Sequence, residues 1–193
     1  MGVEFELKYS ATPEQLTTIA DAFALDYRTT EMETTYYDTP EGRLSELHIT
    51  LRRRMENDVS VCTVKTPMEG CGRGEWECNC DNIEEGILIL CQLGAPRKLL
   101  LLTAGGVQPV CGAGFTRRSA DLIHDGSRLE LALDQGILMG GGKETPLCEV
   151  EVELKEGEPE AAVAFADALA KRFGLKPQNK SKFRRALALA RGN

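Results

Sequence analysis

The sequence predicts a mainly β fold of the α+β class, and three observations lead to this prediction. Several segments alternate strictly between apolar and polar residues, which is the pattern of a strand with one buried face. Helical spacing of apolar residues occurs near the two ends of the chain and in one central segment. The length of 193 residues, with 42% hydrophobic and 27% charged residues, is ordinary for one globular unit. We therefore expect a single domain over residues 1–193.

The strands follow from this alternation and from the turn residues between them. The first segment, VEFELKY, places its apolar residues on one face and its charged residues on the other. Polar turns at Asn57-Asp58 and Asp125-Gly126 predict two hairpins, and Gly140-Gly141-Gly142 predicts a third turn. Strands are expected at 3–9, 32–38, 48–56, 59–66, 74–80, 115–123, 127–134 and 147–155.

The helices follow from caps and apolar spacing. Thr12 and Pro13 predict the start of a first helix, since Thr is a good N-cap and Pro suits the first turn. A central helix is expected from Asn82 to Gly94. Glu158-Pro159 starts a helix that runs to about residue 173, and a last helix covers about 180–190. Residues 95–113 are punctuated by Gly and Pro and show no pattern that we can interpret.

Charge and cysteine usage exclude several classes of protein. The chain carries 23 Lys and Arg against 30 Asp and Glu, and the net charge of −7 disfavours a nucleic-acid partner. The longest apolar runs, Ile87–Cys91 and Leu99–Leu102, are too short to cross a membrane. The seven cysteines form no CxxC pair and follow no recognisable signal peptide, so we expect free thiols and a cytoplasmic location.

The charged residues are sorted by strand face, which leaves two arrangements open. An antiparallel sheet showing its charges to solvent explains the alternation on its own. The density of like charges instead favours a closed barrel, because neighbouring like charges repel by up to ~1 kcal/mol per pair. A divalent cation would neutralise the carboxylates, and a phosphate chain would neutralise the basic residues. The sorted faces carry Glu4, Glu6 and Lys8; Arg52 and Arg54; Thr63 and Lys65; Glu75 and Glu77; Arg128, Glu130 and Asp134; and Glu149, Glu151 and Glu153.

A series of short motifs, in order along nearly the whole chain, resembles the CYTH family of triphosphate tunnel metalloenzymes. The similarity is greatest to its bacterial inorganic triphosphatases, which often carry a C-terminal CHAD domain that we do not expect in this sequence. The motifs are Glu4-x-Glu6-x-Lys8, Tyr36-Tyr37-Asp38-Thr39-Pro40, Leu51-Arg52-x-Arg54, Thr63-x-Lys65, Arg73-x-Glu75, Arg117, Leu129-Glu130-Leu131-Ala132-Leu133-Asp134-x-Gly136, Glu149-x-Glu151-x-Glu153 and Ser181-Lys182.

This resemblance implies a closed eight-stranded antiparallel β-barrel with helices packed outside, and Mg²⁺ or Mn²⁺ as the cofactor. Catalytic roles are implied for Lys8, Arg52 and Arg54. The implied phosphate-binding residues are Lys8, Arg52, Arg54, Lys65, Arg117 and Lys182. The implied metal ligands are Glu4, Glu6, Glu75, Glu130, Asp134, Glu149 and Glu151, with Glu153 on the same face towards the rim. The other basic residues of the last helix, Lys180, Arg184, Arg185 and Arg191, are interpreted as a solvated face.

The implied activity is the metal-dependent hydrolysis of a phosphoanhydride bond in a linear triphosphate, with inorganic tripolyphosphate as the expected small-molecule substrate. Thiamine triphosphatase and class IV adenylyl cyclase are alternatives within the family. A nucleotide would need a pocket for its base, and we identify no aromatic cluster near a charged strand. A non-catalytic polyphosphate-binding module is the alternative of another class, and the oligomeric state cannot be predicted.

Overall fold

The computed structural model describes residues 2, 3, 5–67 and 73–192. Its strands are β1 (Gly2–Val3), β2 (Glu6–Ser10), β3 (Arg28–Asp38), β4 (Thr50–Glu56), β5 (Val59–Pro67), β6 (Arg73–Asn79), β7 (Gln108–His124), β8 (Ser127–Gly140), β9 (Lys143–Glu156) and β10 (Lys176–Pro177). Its helices are α1 (Pro13–Phe23), α2 (Arg43–Glu46), α3 (Ile83–Gln92), α4 (Lys98–Leu102), α5 (Pro159–Phe173) and α6 (Lys182–Arg191).

All ten strands belong to one antiparallel sheet, in the order β1-β6-β5-β4-β3-β7-β8-β9-β2-β10. This confirms the mainly antiparallel β fold. The amino-terminal segment contacts both margins of the sheet, since β1 pairs with β6 while β2 pairs with β9. Within the described residues no ladder joins β1 to β10, so the sheet is not closed by hydrogen bonds and a closed eight-stranded barrel is not confirmed.

Five of the helices lie against the apolar face of the sheet or beside it. The helices α1 and α5 cover β2, β8 and β9, where Leu131 and Val152 are fully buried. The helices α3 and α4 cover β4, β5 and β6 in the same way, and Trp76 packs beneath them as part of that core. Thr12 is the N-cap of α1, as its sequence predicts, and the structure shows that it forms a capping box with Gln15.

The last helix is the exception, because α6 lies on the charged face of the sheet. Phe183 packs against Met32, Tyr36 and Phe115 on β3 and β7. Leu138 of β8 also belongs to this cluster, and it shares a strand face with Asp134. The expectation that the helices pack outside is therefore wrong for α6. This helix carries its own apolar residues into one end of the concave face.

Several strands are longer than their sequence pattern predicts. The segment 95–113 contains α4 and the start of β7, a strand of 17 residues that pairs along most of its length with β3 and β8. Gly112 and Gly114 interrupt the alternation there, which is why the sequence predicted only the part of β7 at 115–123. The turn predicted at the glycine run is confirmed, with Gly141 and Gly142 both at positive φ between β8 and β9.

Two further findings bear on the sequence expectations. The cysteines at 62, 78, 80, 91, 111 and 148 are free thiols, as predicted, and Cys71 lies outside the described residues. In the described part of the chain, no helix combines the length and the apolar character that crossing a membrane requires.

Candidate active site

The charged faces of the strands converge on one cavity of about 450 Å³. Strand alternation explains the convergence, because residues two apart on one strand point to the same side of the sheet. Among the residues to which the resemblance assigns a catalytic, phosphate-binding or metal-binding role, those that line this cavity are Glu6, Lys8, Arg52, Arg54, Lys65, Glu75, Arg117, Glu130, Glu151 and Lys182. It is also lined by Arg28, Glu56, Arg73, Glu77, Glu153, Lys155 and, from α6, Ser181 and Phe183.

Two arginines of β4 form the basic wall of the cavity. Arg54 is 8% exposed and its Nε donates to Thr34 Oγ1 at 3.2 Å. Burial, reinforced by the charge of Arg52, lowers the pKa of Arg54 to about 10. The Nε of Arg52 is buried and has no hydrogen-bond partner among the described atoms, and Arg52 Nη2 lies 3.7 Å from Glu75 Oε1. Arg52 Nη2 also lies 3.6 Å from Glu77 Oε1, and Arg54 Nη1 lies 3.4 Å from Glu56 Oε1. The arginines thus have acidic neighbours, and the buried Nε of Arg52 is the donor that stays available to an anionic ligand.

The wall continues onto β5 and β6. Lys65 and Glu75 stand opposite each other in the ladder, with Nζ and Oε1 3.2 Å apart. Arg73 reaches across to β4, where its Nη2 donates to the carbonyl of His48 at 3.0 Å and to Thr50 Oγ1 at 3.1 Å. Basic groups from three adjacent strands thus face the same space.

The opposite wall carries a row of carboxylates on three adjacent strands. Glu153 of β9 is the ladder partner of Glu6 on β2 and of Glu130 on β8. Lysines partly neutralise this row, because Lys8 Nζ lies 2.7 Å from Glu6 Oε1 and Lys155 Nζ lies 2.7 Å from Glu153 Oε2. Although burial opposes it, the ion pair with Glu6 raises the pKa of Lys8 above its ordinary value. Lys8 is therefore an ammonium at neutral pH.

The floor of the cavity is a buried ammonium surrounded by three carboxylates. Lys182 Nζ lies 2.8 Å from Asp134 Oδ2, 2.5 Å from Glu149 Oε2 and 2.7 Å from Glu151 Oε1. Asp134 and Glu149 are fully buried. Burial alone would lower the pKa of Lys182, but these carboxylates raise it well above its ordinary value. The three carboxylates are in turn held together by the cation between them.

Two arginines complete this buried network. Arg117 binds Asp134 through two hydrogen bonds of 2.7 Å, and its Nη2 also donates to Glu151. Arg185 Nη2 donates to Glu149. The network therefore contains three carboxylates and three cations, so its formal charge at neutral pH is zero. Despite burial, Lys182 and Arg117 hold the pKa of Glu151 well below its usual range, whereas burial raises the pKa of Glu149.

Comparisons with known proteins show which family the chain belongs to. A model of the CYTH domain matches residues 2–187. The chain belongs to the CYTH family. An inorganic triphosphatase from Haemophilus influenzae is 28% identical over 172 residues, which is 86% of this chain and 49% of that protein. This CYTH chain thus spans about half the length of that curated relative.

Solved structures share the fold of this CYTH chain. A candidate adenylyl cyclase from Hippeastrum, described as having a dominant triphosphatase activity, aligns with a TM-score of 0.65 and 20% identity over 98% of this chain and 95% of its own. A protein from Pyrococcus horikoshii aligns with a TM-score of 0.63 and 21% identity over 96% of this chain and 99% of its own. At these identities the likeness establishes the fold alone.

The structure does not place every residue selected from the CYTH motifs in the cavity. Asp134 and Glu149 lie behind Lys182 rather than on the cavity surface, and Glu4 lies outside the described residues. Sequence reasoning missed Lys155 and Arg185. Lys155 continues the period of two from Glu149 through Glu153, and Arg185 lies one helical turn after Lys182, so both positions carried a signal.

The carboxylate oxygens of the site suit a hard divalent cation in two places. Carboxylate oxygens are the ligands that Mg²⁺ and Mn²⁺ prefer, and the row of Glu6, Glu130 and Glu153 offers them at the cavity surface. Oxygens of Asp134, Glu149 and Glu151 also lie within 4.8 Å of one another, a spacing that could hold a metal ion. At the second place a metal would compete with the ammonium of Lys182. A metal at the carboxylate row would likewise compete with Lys8 and Lys155. That row faces the cavity, whereas Asp134 and Glu149 are fully buried, so the row is the more accessible of the two places.

Proposed function

We propose that this chain is a divalent-metal-dependent triphosphatase that hydrolyses a phosphoanhydride bond in linear triphosphates, with inorganic tripolyphosphate as its substrate. The observation that carries the proposal is the basic wall of Arg52 and Arg54. It faces an acidic row across a cavity of about 450 Å³, and the buried Arg52 Nε lacks a partner within the described residues. A polyphosphate would supply acceptors to this wall. The inorganic triphosphatase among its relatives supports the same activity.

We further propose that the sheet closes around the substrate as a tunnel. The supporting observation is the path of the amino-terminal segment, whose two successive strands pair with β6 and with β9. Curling of the sheet is expected from strand twist, and it would bring the basic and acidic walls to face each other. A curled sheet is also consistent with α6 lying across one end of the concave face.

Mg²⁺ or Mn²⁺ is the proposed cofactor. Of the ligands predicted from the CYTH motifs, Glu6, Glu75, Glu130 and Glu151 line the cavity and are proposed to hold it, and Glu153 joins them through its place in the carboxylate row. The roles predicted for Glu4, Asp134 and Glu149 as metal ligands stay predictions. When bound, the ion would supply Lewis-acid stabilisation of the charge that develops on the phosphate oxygens.

The side chains of the chain itself bind and orient the phosphates. Arg52 and Arg54 present donors in a fixed planar geometry, and Lys65 adds a point charge beside them. Lys8 is positively charged because Glu6 stabilises its ammonium form, so it acts as a donor rather than as a base. Most of the catalysis in phosphoryl transfer comes from such positioning and electrostatic stabilisation.

The aromatic residues of the cavity favour tripolyphosphate over a nucleotide. Contrary to the expectation from sequence, Tyr36 and Phe183 do line the cavity beside charged strands. They are only 3% and 7% exposed, and their ring centroids are 5.1 Å apart. Because the rings are buried and pack against each other, they offer no open surface on which a base could stack.

A phosphate-release assay tests the proposal. Tripolyphosphate, ATP and thiamine triphosphate are each supplied with Mg²⁺, with Mn²⁺ and with a chelator, and formation of cyclic AMP is followed in parallel. We expect rapid release from tripolyphosphate that disappears with the chelator. Preferential turnover of thiamine triphosphate, or cyclic AMP formation from ATP, would assign one of the alternative activities, and tight binding without turnover would assign a binding module.

A further inference from the structure

One carboxylate links two cations of α6, the buried Lys182 and the half-buried Arg185. Glu149 accepts a hydrogen bond from Arg185 Nη2 through one oxygen, and its other oxygen lies 2.5 Å from Lys182 Nζ. Lys182 and Arg185 are three residues apart in the first turns of the helix, so they lie on the same helical face. Glu149 therefore binds both cations at once and ties this face of α6 to β9.

The position of these cations in the helix makes the carboxylates necessary. The amino-terminal end of a helix carries partial positive charge, so cations there are unfavourable, and α6 has no acidic residue in its first turn. Lys182 is the first residue of the helix and is only 8% exposed. Without Asp134, Glu149 and Glu151 its ammonium would have neither solvent nor a compensating charge.

Only one end of this chain of contacts reaches the cavity. Lys182 lines it, whereas Asp134, Glu149 and Arg185 do not. Arg185 also keeps a buried Nε with no hydrogen-bond partner among the described atoms, so its hold on Glu149 rests on the other end of its guanidinium. The contacts of Arg185 therefore reach the cavity through Glu149 and Lys182.

We propose, on the basis of the function proposed above, that Arg185 is a positioning residue that acts through Glu149 to hold the ammonium of Lys182 at the cavity floor, where it contacts the phosphate chain. In this arrangement Asp134 and Glu149 serve the cations of the floor rather than a metal ion. Arg117 and Lys182 are then held in place before a substrate binds, whereas Arg52 and Arg54 gain new hydrogen bonds when the phosphate chain binds.

Calorimetric titration with tripolyphosphate in the absence of divalent metal tests this proposal, because binding is then measured without turnover. Arg185→Met removes the charge and keeps much of the apolar stem. Arg184→Met is the matched control, since Arg184 is the exposed neighbour of Arg185 in the same helix. We expect Arg185→Met to weaken binding roughly threefold to tenfold and Arg184→Met to leave it unchanged. Arg185→Lys should recover most of the affinity.

A double-mutant cycle separates positioning from a general loss of structure. If Arg185 acts through Glu149, Arg185→Met should have no further effect on affinity in a Glu149→Gln background, and that double variant also keeps the network neutral. Equal losses in both backgrounds, or no loss in Arg185→Met, would overturn the positioning role. Thermal unfolding shows whether each variant is folded. If Arg185→Met does not fold, Arg185→Lys, which keeps the charge, takes its place in the cycle.

Two additional measurements distinguish failure of this inference from failure of the proposed function. Arg52→Ala tests the basic wall. If Arg52→Ala weakens binding and Arg185→Met does not, the proposed function is retained and the positioning role of Arg185 is refuted. A chain that binds no tripolyphosphate refutes both. Mn²⁺ binding followed by electron paramagnetic resonance should be unchanged in Glu149→Gln and weakened in Glu6→Gln; weakening in Glu149→Gln to the same degree would make Glu149 a metal ligand and overturn the proposal.

Discussion

Arg52, Arg53 and Arg54 are neighbours in β4, and strand alternation gives the middle residue a different environment from the other two. Arg52 and Arg54 line the cavity, whereas Arg53 Nη1 donates to the carbonyl of Asp81 at 2.9 Å, outside it. All three carry the same guanidinium. Any difference in their effect on a substrate therefore comes from the direction in which the strand points each side chain.

Substitution of these three residues should separate them kinetically. A charge-assisted hydrogen bond to phosphate contributes about 1.5–3 kcal/mol, so Arg52→Ala should lower kcat/KM for tripolyphosphate by roughly ten- to more than a hundredfold. Arg54→Ala should act similarly, and Arg52→Lys should recover only part of the loss because an ammonium lacks the planar fork. Arg53→Ala is the control and should leave steady-state kinetics nearly unchanged. Equal damage at all three positions would contradict the assignment of one face to the cavity.

The elements differ in how well their position follows from their own sequence. The outer helices have amphipathic patterns that match an apolar strand face, as in α5 over β9. In α6 the face turned to the sheet contains Phe183, the buried Lys182 and the half-buried Arg185. A basic helix usually faces solvent, and only the carboxylates of β8 and β9, distant in sequence, make the buried position favourable. The sequence of the helix alone therefore cannot predict this pairing with distant strands.

The close approach of α6 to the sheet depends on a glycine at the end of β8. A Cβ added at Gly140 would lie 2.3 Å from the carbonyl oxygen of Ala186 and 2.8 Å from the backbone nitrogen of Ala190. Gly140→Ala should therefore destabilise the fold by about 1–3 kcal/mol, which is typical of overpacking. For a chain of this size we expect Tm to fall by roughly 2–10 °C in thermal denaturation.

Gly105 provides the matched control for this substitution. A Cβ at Gly105 would meet nothing within 4 Å, and its φ is not positive. Gly105→Ala should leave Tm within about 1 °C of the unmodified chain, since surface substitutions are usually close to neutral. If both variants unfold at the same temperature, the packing of α6 against Gly140 contributes little to stability.

At the scale of the whole molecule, the sequence predicted what depends on local alternation and missed what depends on distant pairing. The faces of Glu6, Arg52 and Glu151 follow from a period of two, and so does their convergence on one cavity. The enclosure of Lys182 by Asp134 and Glu149 does not, because it requires α6 to cross the concave face. The extent of β7 was also missed, since its glycines erase the alternation while its neighbours still supply hydrogen bonds.

The charge distribution predicts how the whole fold responds to a ligand. The carboxylates of the floor network are paired with its own cations, whereas the buried Nε of Arg52 in the basic wall has no hydrogen-bond partner among the described atoms. Tripolyphosphate at a hundred times its Kd should stabilise the fold by about 2.7 kcal/mol, because a ligand that binds only the native state shifts the unfolding equilibrium. This corresponds to a rise in Tm of roughly 5–10 °C. The measurement is thermal denaturation without divalent metal, so that the ligand is not consumed.

Specific binding must be distinguished in this experiment from simple screening of the basic wall. Sulfate at the same ionic strength screens surface charge but does not span several basic groups, so it should raise Tm by much less. At the same tripolyphosphate concentration, Arg52→Ala should show a shift of only roughly 1–5 °C, because a ten- to hundredfold weaker Kd leaves about 0.4–1.4 kcal/mol of stabilisation. Arg53→Ala should retain the full shift. A rise of equal size with sulfate, or an undiminished shift in Arg52→Ala, would show that the wall responds to ionic strength alone and does not bind the phosphate chain.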